Sequence, residues 1–155
     1  MSDSKLDGIK ELMEVVGSAD VGLVIFDKQL TVRVWNLFMV KHSHKSAESV
    51  MGKNLFQLFP SFPEKIFLNK LEQCQSERKK VLSTWQELPY YFEFENIRKS
   101  SKSTQFMYQN LTFIPLASAS GELENFAITI NDVTDIAVST KQLDEVVNDY
   151  TSGSQ

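Results

Sequence analysis

The sequence predicts an α+β domain: a five-stranded antiparallel sheet with short helices on one face and an amphipathic helix at each end. Three observations lead to this prediction. Two apolar, β-branched runs lie on either side of residue 30, several short helical segments follow, and strand-like patterns return between residues 81 and 132. Strands placed before and after a group of helices are typical of this fold class.

The first 16 residues have an amphipathic pattern. Apolar side chains recur at intervals of three and four residues, at Leu6, Ile9, Met13 and Val16. This spacing predicts a helix with one apolar stripe, which Gly17 ends. We therefore expect an N-terminal helix over residues 1–16, ahead of a domain that spans residues 17–135.

Residues 21–36 have the pattern of a β-hairpin. The run over residues 21–27 is apolar almost throughout, which suits a strand with both faces covered. Residues 31–36 alternate and include β-branched side chains, which predicts the partner strand. Asn36 ends this strand, and its side chain is suited to cap the helix that follows.

The middle of the chain favours helices. Residues 37–44 and 46–52 predict short connecting helices, and apolar positions through Phe67, Leu71 and Cys74 predict a longer amphipathic helix over residues 64–77. Cys74 is expected to be a buried, inert thiol.

The next third of the chain favours strands. Residues 81–88 and 90–94 predict strands separated by Pro89, and Arg98 begins a basic, serine-rich stretch that predicts a solvated loop over residues 98–104. Residues 106–116 form the longest candidate strand. Alternation at Phe126, Ile128 and Ile130 predicts the last one.

The periodicity changes after Asp132. Apolar or small side chains follow a spacing of four and three residues, at Ile136, Thr140, Leu143, Val147 and Tyr150. Two heptads do not separate a coiled-coil seam from a surface helix packed on its own domain, so both interpretations stay open. We expect residues 136–155 to be a signalling helix or a linker.

Together, these segments resemble PAS domains. The likeness begins in residues 21–27, 32–36 and 51–60, continues at residues 114–116, Gly121 and residues 131–135, and covers about residues 17–136. The resemblance implies a sheet that curls around a central cavity closed by the short helices. It also implies that the turn from the last strand to the exit helix couples the domain to its output.

The resemblance implies a small-molecule or cofactor pocket. We expect its lining among Trp35, Asn36, Met39, Phe56, Phe59, Phe67, Leu71, Phe113 and Ile128. The aromatic side chains could stack on a flat ligand or fill a collapsed core, and both interpretations stay open. Asp132, Thr134 and Asp135 form the expected signal junction, where a side-chain oxygen would cap the exit helix.

The cofactor of this pocket is unknown, and two common ones are disfavoured. Flavin-photochemical PAS relatives carry a cysteine after the asparagine of a Gly-x-Asn-Cys motif, whereas Leu55 follows Asn54 here. Haem-binding relatives often take an axial histidine from the long helix, which has none. His42 and His44 would point about 200° apart on a helix, so no metal site is expected.

Composition narrows the function classes further. Lys and Arg number 16 against 20 Asp and Glu, a net charge of −4, so we expect no nucleic-acid partner. A single cysteine, a polar start and the lack of a run of ~20 apolar residues predict a cytoplasmic protein without a membrane segment. No phosphate-binding loop, nucleophile elbow or metalloprotease helix appears, so we expect no enzymatic activity.

Two functional hypotheses remain. In the first, the chain is the sensory input module of a cytosolic regulator: a small molecule binds in the cavity, and the exit helix passes the signal to an output domain such as a histidine kinase or diguanylate cyclase. In the second, it is a ligand-free dimerisation and protein-interaction module with a side-chain-filled core. We expect a homodimer whose interface contains Leu6, Ile9, Met13, Val16, Ile136, Leu143 and Val147.

Overall fold

The computed structural model describes residues 20–98 and 104–153. Its elements are, in chain order, β1 (Gly22–Asp27), β2 (Val32–Trp35), α1 (Leu37–Ser43), α2 (Ala47–Val50), α3 (Leu55–Leu58), α4 (Glu64–Glu77), β3 (Val81–Ser83), β4 (Gln109–Ala117), β5 (Leu123–Asp132) and α5 (Thr134–Gly153). The predicted α+β class is confirmed. The predicted N-terminal helix lies outside the described residues.

The five strands form one antiparallel sheet in the order β2-β1-β5-β4-β3. The first strand therefore lies beside the last, and Gly22 pairs with Ile130. The residue that follows β5 leads directly into α5. A change in the position of the central strands can thus reach the exit helix without crossing a flexible linker.

Polar side chains set the starts of the three short helices. Asn36 accepts a hydrogen bond from the Met39 amide at 3.4 Å, and Ser46 accepts one from the Ser49 amide at 3.1 Å. Asn54 accepts one from the amide of Phe56 at 2.9 Å. Such caps satisfy amides that have no partner within the helix, which explains why such short helices are defined.

Both faces of the sheet are packed. The larger hydrophobic cluster lies between the sheet and the helices, and a smaller cluster on the opposite face contains Leu23, Ile25, Val34 and Ala127. The prediction that the first strand is covered on both faces is confirmed. At Gly22 the chain passes so close to α1 that a Cβ atom would lie 2.8 Å from a ring carbon of Phe38.

Both edge strands are short, and their outer sides carry other contacts. On β2, the Val32 amide donates to the carbonyl of Lys53 at 2.9 Å, and the Gly52 amide donates to the carbonyl of Val32 at 3.0 Å. On β3, the Leu82 carbonyl accepts from the Lys70 ammonium at 3.5 Å. The chain itself therefore occupies backbone groups on both outer sides.

The largest departure from the sequence prediction is the β3–β4 connection, which we describe through residues 84–98 and 104–108. The predicted strands over residues 81–88 and 90–94 were wrong, because only Val81–Ser83 forms a strand. Beyond it the chain makes turns and one isolated bridge, between Glu95 and Phe106. Pro89 has no amide to donate, and the Gln109 side chain takes the backbone groups that a strand would have paired.

Candidate functional site

The predicted pocket residues meet in the interior. Eight of the nine belong to, or pack against, the cluster between the sheet and the helices: Trp35, Met39, Phe56, Phe59, Phe67, Leu71, Phe113 and Ile128. Asn36 is buried beside them. Its side-chain oxygen accepts from the Leu23 amide at 3.0 Å, and its nitrogen donates to the Val21 carbonyl at 2.8 Å, so the chain itself uses these polar groups.

Phe67 of α4 is fully buried at the centre of an aromatic cluster. Its ring centroid lies 5.7 Å from that of Phe26, 5.6 Å from Phe56, 5.2 Å from Phe62, 6.1 Å from Tyr91 and 5.0 Å from Phe113. A flat ligand stacked between two rings needs about 7 Å between them, since carbon atoms in contact lie about 3.5 Å apart. The rings around Phe67 therefore fill the space by contacting one another.

The β3–β4 connection supplies interior residues that the sequence analysis did not assign to the site. Tyr91, Phe92, Phe94 and Met107 all have side chains no more than 2% exposed. Phe92 and Phe94 stack with centroids 5.2 Å apart and an interplanar angle of 19°. The dense run of aromatic residues over 90–94 was the signal that could have identified Tyr91, Phe92 and Phe94.

Gln109, at the start of β4, was also missed, and it holds this connection in place. The fully buried side chain accepts from the amides of Tyr91 and Phe92 at 3.1 Å each and donates to the Phe92 carbonyl at 2.8 Å. The Tyr91 hydroxyl is hydrogen-bonded to that of Ser83 at 2.8 Å. The aromatic residues of the connection are thereby fixed by polar bonds inside the core.

His42 of α1 lies half-buried between two rings of this region. Its ring centroid is 4.3 Å from that of Phe38 and 5.9 Å from that of Phe94. Burial, and secondarily the positive charge of Lys41, lowers the pKa of His42, although nearby carboxylates act in the opposite direction. The neutral form is therefore favoured in the folded protein.

Cys74 is a free, fully buried thiol on α4, which confirms the predicted burial. Burial raises the pKa of this thiol, because the thiolate loses solvation in the interior. A group in this environment is a packing residue and a poor nucleophile.

The predicted junction residues lie together at the end of β5. One Asp132 carboxylate oxygen accepts from the Thr134 amide at 3.0 Å and from its hydroxyl at 2.5 Å. The Thr134 hydroxyl oxygen in turn accepts from the Tyr108 amide at 3.0 Å. Asp132 thus satisfies an amide at the start of α5, while Thr134 fastens that start to the β3–β4 connection.

Arg98 also belongs to this junction. The sequence predicted a solvated loop over residues 98–104, and residues 99–103 of that loop lie outside the described residues. The Arg98 guanidinium donates to Asp132 at 2.9 Å and to Asp135 at 2.6 Å. The hydrogen bond to Asp132 is the main reason that the pKa of Arg98 is raised. An arginine from one loop therefore bridges the last strand and the first turn of α5.

The exit helix α5 begins at Thr134, two residues before the expected start. Ala137 and Val138 are buried against the domain, whereas Ile136, Leu143 and Val147 have exposed fractions of 63%, 63% and 51%. Leu6, Ile9, Met13 and Val16, the other predicted interface residues, lie outside the described residues. The homodimer therefore stays a prediction.

The sequence matches the family profile described as "PAS domain" over residues 24–135. The chain belongs to the PAS domain family. This match covers more than two thirds of the chain and includes every strand except the first two residues of β1. PAS domains are sensory modules without catalytic activity of their own, and none of the helices within residues 20–98 and 104–153 is long and apolar enough to cross a membrane.

Solved PAS structures share the fold. A sensory box sensor histidine kinase from Vibrio cholerae is similar with a TM-score of 0.61 and 24% identity, covering 86% of this chain and 97% of that one. The PAS domain of Bordetella pertussis BvgS has a TM-score of 0.60 and 14% identity, covering 92% and 98%. The PAS domain of histidine kinase ThkA has a TM-score of 0.52 and 23% identity, covering 72% and 98%. No curated protein matches the chain.

Two interior positions bear on the flavin and haem expectations, which stay predictions. Leu55, which stands where photochemical relatives carry cysteine, is fully buried in the core cluster. Cys74 lies on α4, the helix from which haem-binding relatives often take a histidine, and this helix has no histidine.

Proposed function

We propose that this PAS domain is a non-catalytic input and dimerisation module of a cytosolic signal-transduction regulator, and that its interior is filled by its own side chains. The observation that carries the proposal is the aromatic cluster around Phe67, in which five ring centroids lie 5.0–6.1 Å away. The similarity to a sensory box sensor histidine kinase and to the PAS domain of the histidine kinase ThkA supports a role in signalling. The output domain would be attached or associated.

The exposed face of α5 supports a role in dimerisation. Ile136, Leu143 and Val147 are separated by seven and four residues, so they lie on one side of the helix. Each is at least 51% exposed, and a second copy of the helix would remove these apolar side chains from water. The alternative of a helix packed fully on its own domain is less favourable, because every described side chain from Lys141 to Thr151 is exposed.

The first experiment tests the filled interior. The purified full chain is analysed by native mass spectrometry, by mass spectrometry after denaturation and by an absorbance scan. We expect identical subunit masses in both states and no absorbance band beyond that of the aromatic residues. A stoichiometric mass that is lost on denaturation would contradict a side-chain-filled core.

The second experiment tests the dimer. Light scattering on the full chain should give twice the chain mass of 17.7 kDa, and Leu143→Glu should give a single chain mass. Asn148→Glu places the same charge at an exposed position of α5 about 140° around the helix from Leu143 and serves as the control. A monomeric parent protein, or an equal effect of both substitutions, would count against pairing through this face.

Ligand sensing is a second candidate, and one observation favours it. A cavity of about 260 Å³ lies between the α3–α4 loop and the β3–β4 connection, and is lined by Ser61, Pro63, Leu88, Pro89, Tyr90, Tyr91 and Glu93. This volume is below the usual range of about 300–1,000 Å³ for ligand pockets. A molecule smaller than most cofactors would fit, and the mass measurement above would detect it.

A further inference from the structure

The β3–β4 connection places two stacked rings in the middle of the helical layer. Phe92 contacts the rings of Phe59 and Phe62, with centroids 5.2 and 5.1 Å away, and Phe94 lies 6.4 Å from Phe59 and 5.9 Å from His42. Phe92 and Phe94 are 0% and 1% exposed. A loop between two strands thus occupies space that faces α1 and the α3–α4 loop.

Buried hydrogen bonds of the backbone hold these two rings in position. Gln109 bonds to both backbone groups of Phe92, and the Met107 amide donates to the Phe94 carbonyl at 2.8 Å. The rings therefore cannot leave the interior without breaking hydrogen bonds of the connection itself.

The same connection bonds to the start of the exit helix through two residues, Arg98 and Tyr108. Arg98 donates to Asp132 and Asp135, and the Asp132 side chain is only 9% exposed. At Tyr108, the last residue of the connection, the carbonyl accepts a hydrogen bond from the Val133 amide at 2.9 Å. Both contacts meet the first turn of α5, where the Ala137 amide makes its bond to the Val133 carbonyl.

We infer that the β3–β4 connection is a built-in strap: Phe92 and Phe94 anchor it inside the core, and Arg98 transmits its position to the first turn of the exit helix. Arg98 lies four residues after Phe94, so the chain between them spans at most about 14 Å. We therefore expect that moving the rings out of the core shifts Arg98 relative to Asp132 and Asp135. The inference rests on the proposed function only in assigning the output to α5.

Hydrogen exchange of the full chain tests this coupling. The variants are Phe92→Ala, Arg98→Gln and the double variant, and Lys79→Gln is the control because it removes an exposed ion pair with Glu77 that lies in neither the strap nor β1. The readout is amide exchange over residues 137–140 relative to residues 23–26 of β1. Light scattering on each variant records whether the oligomeric state has changed.

We expect each single variant to raise exchange in the first turns of α5 by at least about 5-fold, the lower end of typical coupling between linked sites. The double variant should exceed the larger single effect by less than 2-fold, and the control should leave this region unchanged. If Phe92→Ala does not fold, Phe92→Leu is judged by the same criteria. Multiplicative effects in the double variant, or an unchanged α5 in either single variant, would overturn the strap.

The two proposals can fail separately. A bound ligand or a monomeric mass would overturn the proposed function, whereas the exchange pattern is measured within one chain and remains interpretable. The converse result is a dimer with a filled interior in which the effects of Phe92 and Arg98 on exchange are independent. That result would leave the proposed function intact and overturn the strap.

Discussion

Replacing Gln109 by Met should destabilise the domain strongly although the core keeps its volume. The two side chains have similar length and size, but Met cannot replace the amide group. The structure gives that amide three buried hydrogen bonds, at 3.1, 3.1 and 2.8 Å, to the backbone of Tyr91 and Phe92. The substitution therefore tests polar bonding with little change in packing.

The expected magnitude follows from these three bonds. A buried hydrogen bond contributes about 0.5–1.5 kcal/mol net, and a buried group left without a partner costs about 1–3 kcal/mol. The amides of Tyr91 and Phe92 lose their partner, whereas the Phe92 carbonyl keeps the Phe94 amide as a donor at 2.8 Å. With two buried amides left unpaired, we expect the free energy of unfolding to fall by about 3 kcal/mol. That is a large share of the roughly 5–15 kcal/mol typical of a domain.

Urea denaturation followed by far-UV circular dichroism and tryptophan fluorescence measures this change. The midpoint should fall while the slope stays the same. Gln73→Met is the matched control, because Gln73 is exposed on α4 and its side-chain nitrogen makes a long hydrogen bond of 3.4 Å to Glu77. We expect the control to stay within about 0.5 kcal/mol. A loss below about 1 kcal/mol for Gln109→Met would refute the role given to this residue.

Three further outcomes can be checked with simple measurements. Gly22→Ala should lower the free energy of unfolding by about 1–3 kcal/mol in urea, because its Cβ would lie 2.8 Å from Phe38; an unchanged midpoint would argue against close packing there. The folded state lowers the pKa of His42 below its ordinary 6.5, so it favours the neutral ring. The contribution of this ring to the free energy of unfolding is therefore full above about pH 6.5 and falls as the pH drops below that value. His42→Gln should weaken that pH dependence and His44→Gln should retain it, so equal profiles would contradict the assignment. The Cys74 thiol should react with Ellman's reagent slowly in the native protein and fully in urea, and rapid native labelling would show that it is accessible.

Local patterns were sufficient to predict much of this fold. The boundaries of α4 agree with the prediction, because its apolar positions recur with helical spacing and prolines precede it. Asn36 caps α1 as its residue type suggested. The pocket candidates Trp35, Phe113 and Ile128 converge because strands β2, β4 and β5 present alternate residues to one face.

The β3–β4 connection could not be predicted in this way. Phe92 and Phe94 alternate as strand residues do, but the Gln109 side chain pairs the backbone of Phe92. The backbone of Phe94 bonds to the Phe92 carbonyl and the Met107 amide. The role of Arg98 depends on carboxylates 34 and 37 residues further along the chain. Such contacts leave no periodic signal, and only the fold brings the partners together.

The two short edge strands also bear on how this protein behaves at high concentration. Open strand edges present free amides and carbonyls on which another chain can add a strand, which is a common route to aggregation. Here the loop over residues 52–55 bonds to β2, and β3 is only three residues long, with Lys70 on its outer carbonyl. A strand from another chain would have to displace the protein's own backbone from the outer side of β2. At β3 it could pair with only three residues. Within the described residues, neither edge of the sheet therefore favours growth into sheet-based fibres.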